Sequence, residues 1–173
     1  KELEFKLKIH ADEIIPLQGA ELAAEMGAIS AEHLLAASDE GMDAMARAGV
    51  TAVVLPGTSF YLMLGKYAQA RKMINKGIRV AIATDYNPGT CPTENLQAIM
   101  TFACFGMKLT PEEIIKGMTL NAAYALDREK EIGSLEIGKK ADIVVFDAPN
   151  VEYIVYHFGI NHVNYVVKEG KIV

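Results

Sequence analysis

The sequence predicts an α/β fold that consists of half of a (β/α)8 barrel followed by a small β appendage. Apolar, strand-like runs alternate with helix-like stretches about four times before residue 126, which is typical of a parallel sheet with right-handed crossovers. Each strand–helix unit takes roughly 25 residues, close to the spacing in a barrel of about 250 residues. After residue 126 the pattern changes to short strands with turn signals, which indicates a separate β element.

The predicted strands of the sheet are short and mainly apolar. Leu3–Ile9 alternates apolar and charged residues, and Ala28–Leu35 is a mixed segment. Thr51–Leu55 and Ile78–Thr84 are continuous apolar runs, as in strands that are buried on both faces. Because these strands make only half of a closed barrel, the first and the last are expected to be edge strands. The inner sheet face of valine, isoleucine and alanine is expected to be exposed.

Helical spacing and end signals predict helices between and after these strands. The predicted helices cover Pro16–Met26, Gly41–Ala48, Leu64–Lys76, Glu94–Phe105, Pro111–Gly117 and Asn121–Leu126. Glycines at 27, 49 and 77 end the first three of them. The strongest start is Thr110–Glu113, which has an N-cap residue, a proline in the first turn and acids near the positive end of the helix dipole.

The last third of the chain predicts short strands and little helix. The predicted strands are Gly133–Ile137, Ala141–Phe146 and Val163–Val173. This change in pattern predicts two domains: residues 1–130 hold strands and helices of the barrel, and residues 131–173 hold part of a small β domain.

Composition limits the possible partners and compartment. The net charge is −5 and no long basic run occurs, which argues against a nucleic-acid partner. No apolar run reaches the roughly 20 residues of a membrane helix, so no membrane partner is expected. The two cysteines, Cys91 and Cys104, form no CxxC motif, and a reducing cytoplasm is the expected location.

Titratable side chains follow three of the predicted strands. Reactive groups of a (β/α)8 barrel lie at the C-terminal ends of its strands, where His10, Glu13, His33 and Asp85 are found. His10 and Asp85 suit a metal ion that lowers the pKa of bound water toward about 7. Asp85 could also take the water's proton and His33 could polarise the bond under attack, while Glu13 could bind a ring N–H or shuttle a proton.

Each of these residues also has an ordinary structural interpretation. A histidine at a strand end is more often a hydrogen-bonded structural residue than a ligand, and Asp85 precedes Asn-Pro-Gly, a turn-forming sequence. Glu13 could be a solvated acid at a helix start. The functional interpretation is favoured because these residues all lie at the same end of successive strands. For His157, His162 and both cysteines, structural roles are expected.

Several of these segments resemble the imidazolonepropionase family of the amidohydrolase superfamily. The resembling runs are His10–Glu13, Glu32–Leu35, Leu55–Thr58, Tyr156–Asn161 and, above all, Ala83–Leu96. Met118–Leu126 followed by Ile132–Asp147 resembles the tail of many amidohydrolases and says little about substrate. The resemblance covers essentially the whole chain, but only the C-terminal part of the family's usual length.

The resemblance implies a fold, a reaction and a cofactor. The family fold is the (β/α)8 barrel of metal-dependent hydrolases, with a small β-sandwich built from both chain ends. The reaction is hydrolysis of a cyclic amide, from 4-imidazolone-5-propanoate and water to N-formimidoyl-L-glutamate, in histidine degradation. By resemblance, His10 and Asp85 are two ligands of a single zinc or iron ion.

The resemblance also implies roles for the other candidate residues. Glu13 and His33 match positions that contact substrate or assist proton transfer. Three residues match the loop that binds substrate: Asn87, Gly89 and Thr90.

One departure from the family concerns the metal ligands. The family's remaining ligands are a His-x-His pair, and no His-x-His occurs in this sequence. The chain also begins at Lys1 without an initiator methionine, so it is expected to be a fragment that is inactive alone. The expected partners are a small-molecule substrate and the N-terminal part of the same protein or a second copy, in a homo-oligomer.

Three interpretations remain open at this point. The chain is part of an imidazolonepropionase, part of another amidohydrolase such as a cyclic-amide hydrolase or a deaminase, or a half-barrel without catalytic function. The loop Asp85–Asn95 favours the first, because a deaminase would need to hold an aromatic amine in place of a propionate arm.

Overall fold

A computed structural model of the chain describes residues 5–173. Four short strands form a parallel sheet in which each strand lies beside the next one in the chain. The strands are β1 (Lys8–Ala11), β2 (Ser30–His33), β3 (Thr51–Val54) and β4 (Val80–Ile82). The predicted parallel sheet with helical crossovers is therefore confirmed.

The first strand lies later in the chain than predicted. The prediction was Leu3–Ile9, of which residues 3 and 4 lie outside the described residues, whereas β1 covers Lys8–Ala11. The pairing with β2 sets this position, since Lys8 is opposite Ser30 and Ala11 is opposite His33. His10 therefore lies within the strand and not just beyond it.

Eight helices occur in the described part of the chain. They are α1 (Gly19–Glu25), α2 (Asp39–Ala48), α3 (Pro56–Tyr61), α4 (Ala70–Asn75), α5 (Leu96–Met107), α6 (Pro111–Met118), α7 (Leu120–Ala125) and α8 (Val151–Tyr156). The predicted start of α6 is confirmed: Thr110 and Glu113 form a reciprocal capping box. None of these helices has the length and apolar character that a membrane crossing requires.

The predicted helix Leu64–Lys76 is wrong in its first half. The chain instead forms α3 directly after β3, with Pro56 in its first turn, where the fixed φ of proline suits a helix start. Residues 62–69 contain no helix, and Gly65 has a φ of 66° that a helix cannot contain. Only α4 remains of the predicted element.

The two faces of the parallel sheet are covered differently. Side chains alternate between faces, so Ala52 and Val54 pack with the surrounding helices in the main core. Val53, Leu55 and Ala81 form a smaller cluster on the opposite face, against residues 122 and 125 of α7. The expectation of an exposed apolar inner face is therefore wrong for β3 and β4, because α7 lies over it.

The last third contains a three-stranded antiparallel sheet. Its strands are β5 (Ile143–Phe146), β6 (Val163–Lys168) and β7 (Lys171–Ile172), in that order. The predicted strand Gly133–Ile137 is wrong, because this segment forms turns with Gly133 and Gly138 at positive φ. It pairs with no strand in the part of the chain that the structure describes.

The expectation of little helix after residue 126 is confirmed, because the helix there is limited to the six residues of α8. Helix α8 lies between β5 and β6, and its Ile154 and Val155 are buried in the main core. The Thr101 hydroxyl of α5 donates a hydrogen bond of 3.0 Å to the carbonyl of Val155. The second predicted domain therefore contributes an element to the core of the first.

Candidate functional site

The carboxyl edge of the parallel sheet holds residues with unusual backbone geometry. Asp12, His33 and Asp85, which end or follow β1, β2 and β4, have φ values of 48°, 71° and 58°. For residues with a side chain this left-handed conformation costs about 1–2 kcal/mol. Such conformations persist where the surroundings enforce them, and they are frequent at functional sites.

Asp12 has a structural explanation. Its carboxylate accepts hydrogen bonds from the backbone N–H groups of Leu17 (2.8 Å), Gly19 (3.1 Å) and Ala20 (2.9 Å). These are donors at the start of α1 that have no partner within the helix. Asp12 therefore caps the start of α1.

His10, Glu13 and His33 form a cluster at this edge. Nε2 of His33 lies 3.1 Å from Nδ1 of His10, and Nδ1 of His33 lies 3.6 Å from a Glu13 carboxylate oxygen. One ligand atom from each residue lies within 4.8 Å of the other two. In the region the structure describes, this is the one group of three or more histidine, cysteine or acidic residues with such spacing.

Burial sets the protonation state of His33, which is 3% exposed. Loss of hydration lowers the pKa of its imidazole, while the Glu13 and Asp85 carboxylates oppose the shift. The ring is therefore neutral near pH 7. Its Nδ1 is buried without a hydrogen-bond partner, which leaves one ring nitrogen available to a ligand.

Asp85 lies beside this cluster but is held by a different residue. It follows β4, is half-buried, and its Oδ2 accepts a hydrogen bond of 2.6 Å from the Thr58 hydroxyl. Thr58 lies in α3, which begins at the same edge after β3. Sequence reasoning assigned no role to Thr58, although the rule that loops after barrel strands carry function could have included it.

The loop after Asp85 is organised by Asn87. Its Oδ1 accepts from the backbone N–H groups of Gly89 (2.9 Å) and Thr90 (2.8 Å). Its Nδ2 donates to the Asp85 carbonyl (2.7 Å) and to the Thr90 hydroxyl oxygen (2.8 Å). Both ends of the amide are thus engaged within the loop, and a direct substrate contact by Asn87 stays a prediction.

The remaining candidate residues lie outside the cluster. His157 stacks on Tyr153 with ring centroids 3.9 Å apart, and Nε2 of His162 lies 3.3 Å from the His157 carbonyl oxygen. These contacts agree with structural roles. Burial raises the pKa of both Cys91 and Cys104, so neither thiol is an activated nucleophile.

Comparison with models of protein families assigns the chain to a family. The model of the amidohydrolase family matches residues 65–173. The chain belongs to the amidohydrolase family.

Curated relatives of this amidohydrolase share most of its sequence. It is 64% identical over 173 residues to the imidazolonepropionase of Alkaliphilus metalliredigens and 64% identical over 172 residues to that of Treponema denticola. The match to the first covers 100% of this chain and 41% of the relative. For the second, the shares are 99% and 42%. The chain thus spans about two fifths of the length of these relatives.

Solved structures share the fold of this amidohydrolase. An adenosine deaminase from Xanthomonas campestris with bound zinc superposes with a TM-score of 0.83 at 22% identity, over 99% of this chain and 46% of that one. An atrazine chlorohydrolase from Arthrobacter aurescens complexed with zinc gives a TM-score of 0.81 at 19% identity, over 99% and 44%. At these identities the likeness shows the fold.

Proposed function

We propose that this chain is the part of an imidazolonepropionase that carries one side of the active site, and that the whole enzyme hydrolyses 4-imidazolone-5-propanoate to N-formimidoyl-L-glutamate. The observation that carries the proposal is the 64% identity to imidazolonepropionases in a match that spans the whole chain and so the segments that hold the clustered residues. A deaminase is the alternative, and the fold likeness to one at 22% identity does not favour it over the relatives.

The four parallel strands are proposed to be half of a (β/α)8 barrel. Their neighbours follow chain order, and the adenosine deaminase of the same fold is more than twice as long as the matched region. The other half would come from the N-terminal part of the same protein or from a second copy. Residues 131–173 are proposed to supply β5–β7 to a small β-sandwich.

The clustered side chains fit a zinc or iron ion. Imidazole nitrogen and carboxylate oxygen are the donors that these metals bind in hydrolases, and His10 and Asp85 supply one of each at this edge of the sheet. Two solved structures of the fold contain zinc. We assign His10 and Asp85 as ligands. When bound, the metal lowers the pKa of a coordinated water toward about 7 and so supplies the nucleophile.

The chain's own residues handle the protons of the reaction. The Thr58 hydroxyl holds one oxygen of Asp85, so the other oxygen can receive the proton of the attacking water. His33 is neutral and buried, and therefore suited to hydrogen-bond the ring carbonyl. A Glu13 carboxylate oxygen lies 3.6 Å from His33 Nδ1, and Glu13 can accept a hydrogen bond from the ring N–H or relay to the leaving ring nitrogen the proton that Asp85 takes from the water.

The loop after Asp85 is proposed to bind the propionate arm. The Thr90 hydroxyl oxygen accepts a hydrogen bond from Asn87, which leaves the Thr90 proton free to donate to a carboxylate. Gly89 is exposed and lets a ligand approach the backbone. In this arrangement Asn87 shapes the loop, while Gly89 and Thr90 face the substrate.

A chimera tests the proposed function. The chain replaces the matching 173 residues of the Alkaliphilus metalliredigens imidazolonepropionase, and ring opening is followed with purified metal-loaded protein. We expect hydrolysis of imidazolonepropionate, and a loss of about 10²–10⁴-fold in kcat with Asp85→Asn, which removes the proton acceptor.

The control variant is His157→Ala, which lies outside the cluster and should keep full activity. A folded chimera that leaves imidazolonepropionate intact but deaminates an aromatic amine would contradict the proposal and support the alternative.

A further inference from the structure

We propose that Thr58 is a positioning residue that fixes the orientation of the Asp85 carboxylate. The inference rests on the function proposed above, in which Asp85 binds the metal and accepts a proton. Thr58 lies in the first half of α3 and is 2% exposed. Its Oγ1 is 2.6 Å from Asp85 Oδ2, and because an ionised carboxylate only accepts, the hydroxyl proton must point to Asp85.

Asp85 needs this restraint because its backbone is strained. Its φ of 58° is in the left-handed region. The direction of its side chain is therefore not set by regular strand geometry. Two contacts hold the residue: the Asn87 amide donates to its carbonyl and the Thr58 hydroxyl donates to its side chain. One carboxylate oxygen is thus held in place, and the other remains for chemistry.

Gly57, directly before Thr58, allows the close packing around the Thr58 hydroxyl. A side chain at Gly57 would lie 2.7 Å from the Cys91 sulfur and 2.6 Å from the end of Ile99, both closer than real contacts allow. Glycine therefore lets the Cys91 and Ile99 side chains pack directly on the first turn of α3, and a larger residue would require both to shift. Cys91 is 1% exposed, so this contact is tightly packed.

A threonine is suited to this role because it is neutral. A lysine or arginine at the same position would form an ion pair with Asp85 and weaken its attraction for a metal cation and for a proton. A hydroxyl orients the carboxylate without cancelling its charge. Groups that orient metal ligands in this way contribute about 10–100-fold to metal affinity or activity.

The experiment compares two buried threonines in the chimera. Thr58→Val removes the donor and keeps the shape, Thr58→Ser keeps the hydroxyl, and Thr101→Val is the matched control. Thr101 is also buried and donates a hydrogen bond, but its acceptor is the Val155 carbonyl of α8 and not Asp85. The readouts are kcat, KM and zinc affinity by competition with a chelator.

We expect Thr58→Val to lower kcat and zinc affinity about 10–100-fold with KM nearly unchanged, and Thr58→Ser to restore both. Thr101→Val should change neither. If the valine variant does not fold, Thr58→Ala provides the same loss of donor. Equal zinc affinity and kcat in Thr58→Val and Thr101→Val would overturn the proposal. A chimera that binds zinc but hydrolyses no imidazolonepropionate would overturn the proposed function, and the zinc affinities would still decide the role of Thr58.

Discussion

Single residues at the carboxyl edge combine local strain with specific hydrogen bonds. His33, Asp12 and Asp85 all adopt left-handed backbone conformations, yet each has a different reason for tolerating the strain. Asp12 caps a helix, Asp85 is held by two neighbours, and His33 is buried against His10 and Glu13. Strain with a structural reason can thus be separated from strain at the candidate site.

Substitution of Asp12 tests whether its strained backbone has a structural role. Asp12→Ala removes three hydrogen bonds at the start of α1 and places alanine at positive φ. We expect a loss of about 1–2 kcal/mol in the free energy of unfolding, because the cap is lost while the strain of the left-handed backbone is already present with aspartate. Denaturant unfolding measures it. Asp12→Asn, which tolerates this φ and keeps an acceptor, should lose clearly less. Equal losses would contradict the capping role.

The sequence located the candidate residues better than it located their contacts. His10, Glu13, His33 and Asp85 were predicted from one rule, that parallel strands present their carboxyl ends at one edge. The hydrogen bond between Thr58 and Asp85 joins residues 27 positions apart in the sequence, and no local pattern signals it. A neutral hydroxyl also lacks the sequence signal of a titratable group.

At the scale of elements, α4, α5 and α6 are joined by one arginine. Arg71 of α4 donates to both carboxylate oxygens of Glu113 and to the carbonyl of Lys108 at the end of α5. Glu113 also closes the capping box of α6 with Thr110. The start of one helix and the end of another therefore depend on the same ion pair.

This ion pair predicts a pH-dependent stability. The bond from Arg71 lowers the pKa of Glu113 below its ordinary value of 4.5, so its contribution is present above pH 4.5 and is lost as pH falls through the lowered value. Glu113→Gln should cost about 1 kcal/mol at pH 7, a modest amount because the pair is partly exposed, and nothing at low pH.

Chemical denaturation across pH measures the effect, with the exposed Glu25→Gln as control. If Glu113→Gln lowers the free energy of unfolding by the same amount at pH 7 and below the lowered pKa, the predicted pH dependence is contradicted.

Short elements were the least predictable from sequence. Helices α3 and α8 have six residues each and were missed, although α7, of the same length, was predicted, so the apolar spacing of so short a helix is an unreliable signal. Gly133–Ile137 has alternation of the right kind but pairs with no strand among residues 5–173, and a strand exists only by pairing. Capping signals were reliable, as at Thr110, because they depend on neighbours in the chain.

At the scale of the whole molecule, the parallel sheet has two edges. Among the described residues, β1 and β4 each pair with a single neighbour. Helix α7 covers part of the inner face, and the Asn121 amide donates to the Val80 carbonyl on β4. The sheet is thus partly protected, but β1 keeps an edge that a further strand can extend.

These edges predict association of the chain. We expect sedimentation velocity to show a self-associated species for the chain alone, because unpaired strand edges recruit partners. Addition of the N-terminal part of the Alkaliphilus metalliredigens relative should convert it to a one-to-one complex. A stable monomer that ignores this partner would contradict the half-barrel proposal.

The sequence by itself determined the class of fold, the order of the four parallel strands, and the edge at which the titratable residues lie. These follow from periodicity and chain direction, which are local properties. Only the tertiary structure decided that α7 covers the inner face, that α8 joins the main core, and that His10 meets His33 while Asp85 meets Thr58. The physical reason is that such contacts join residues distant in sequence, and their geometry depends on how all the elements pack together.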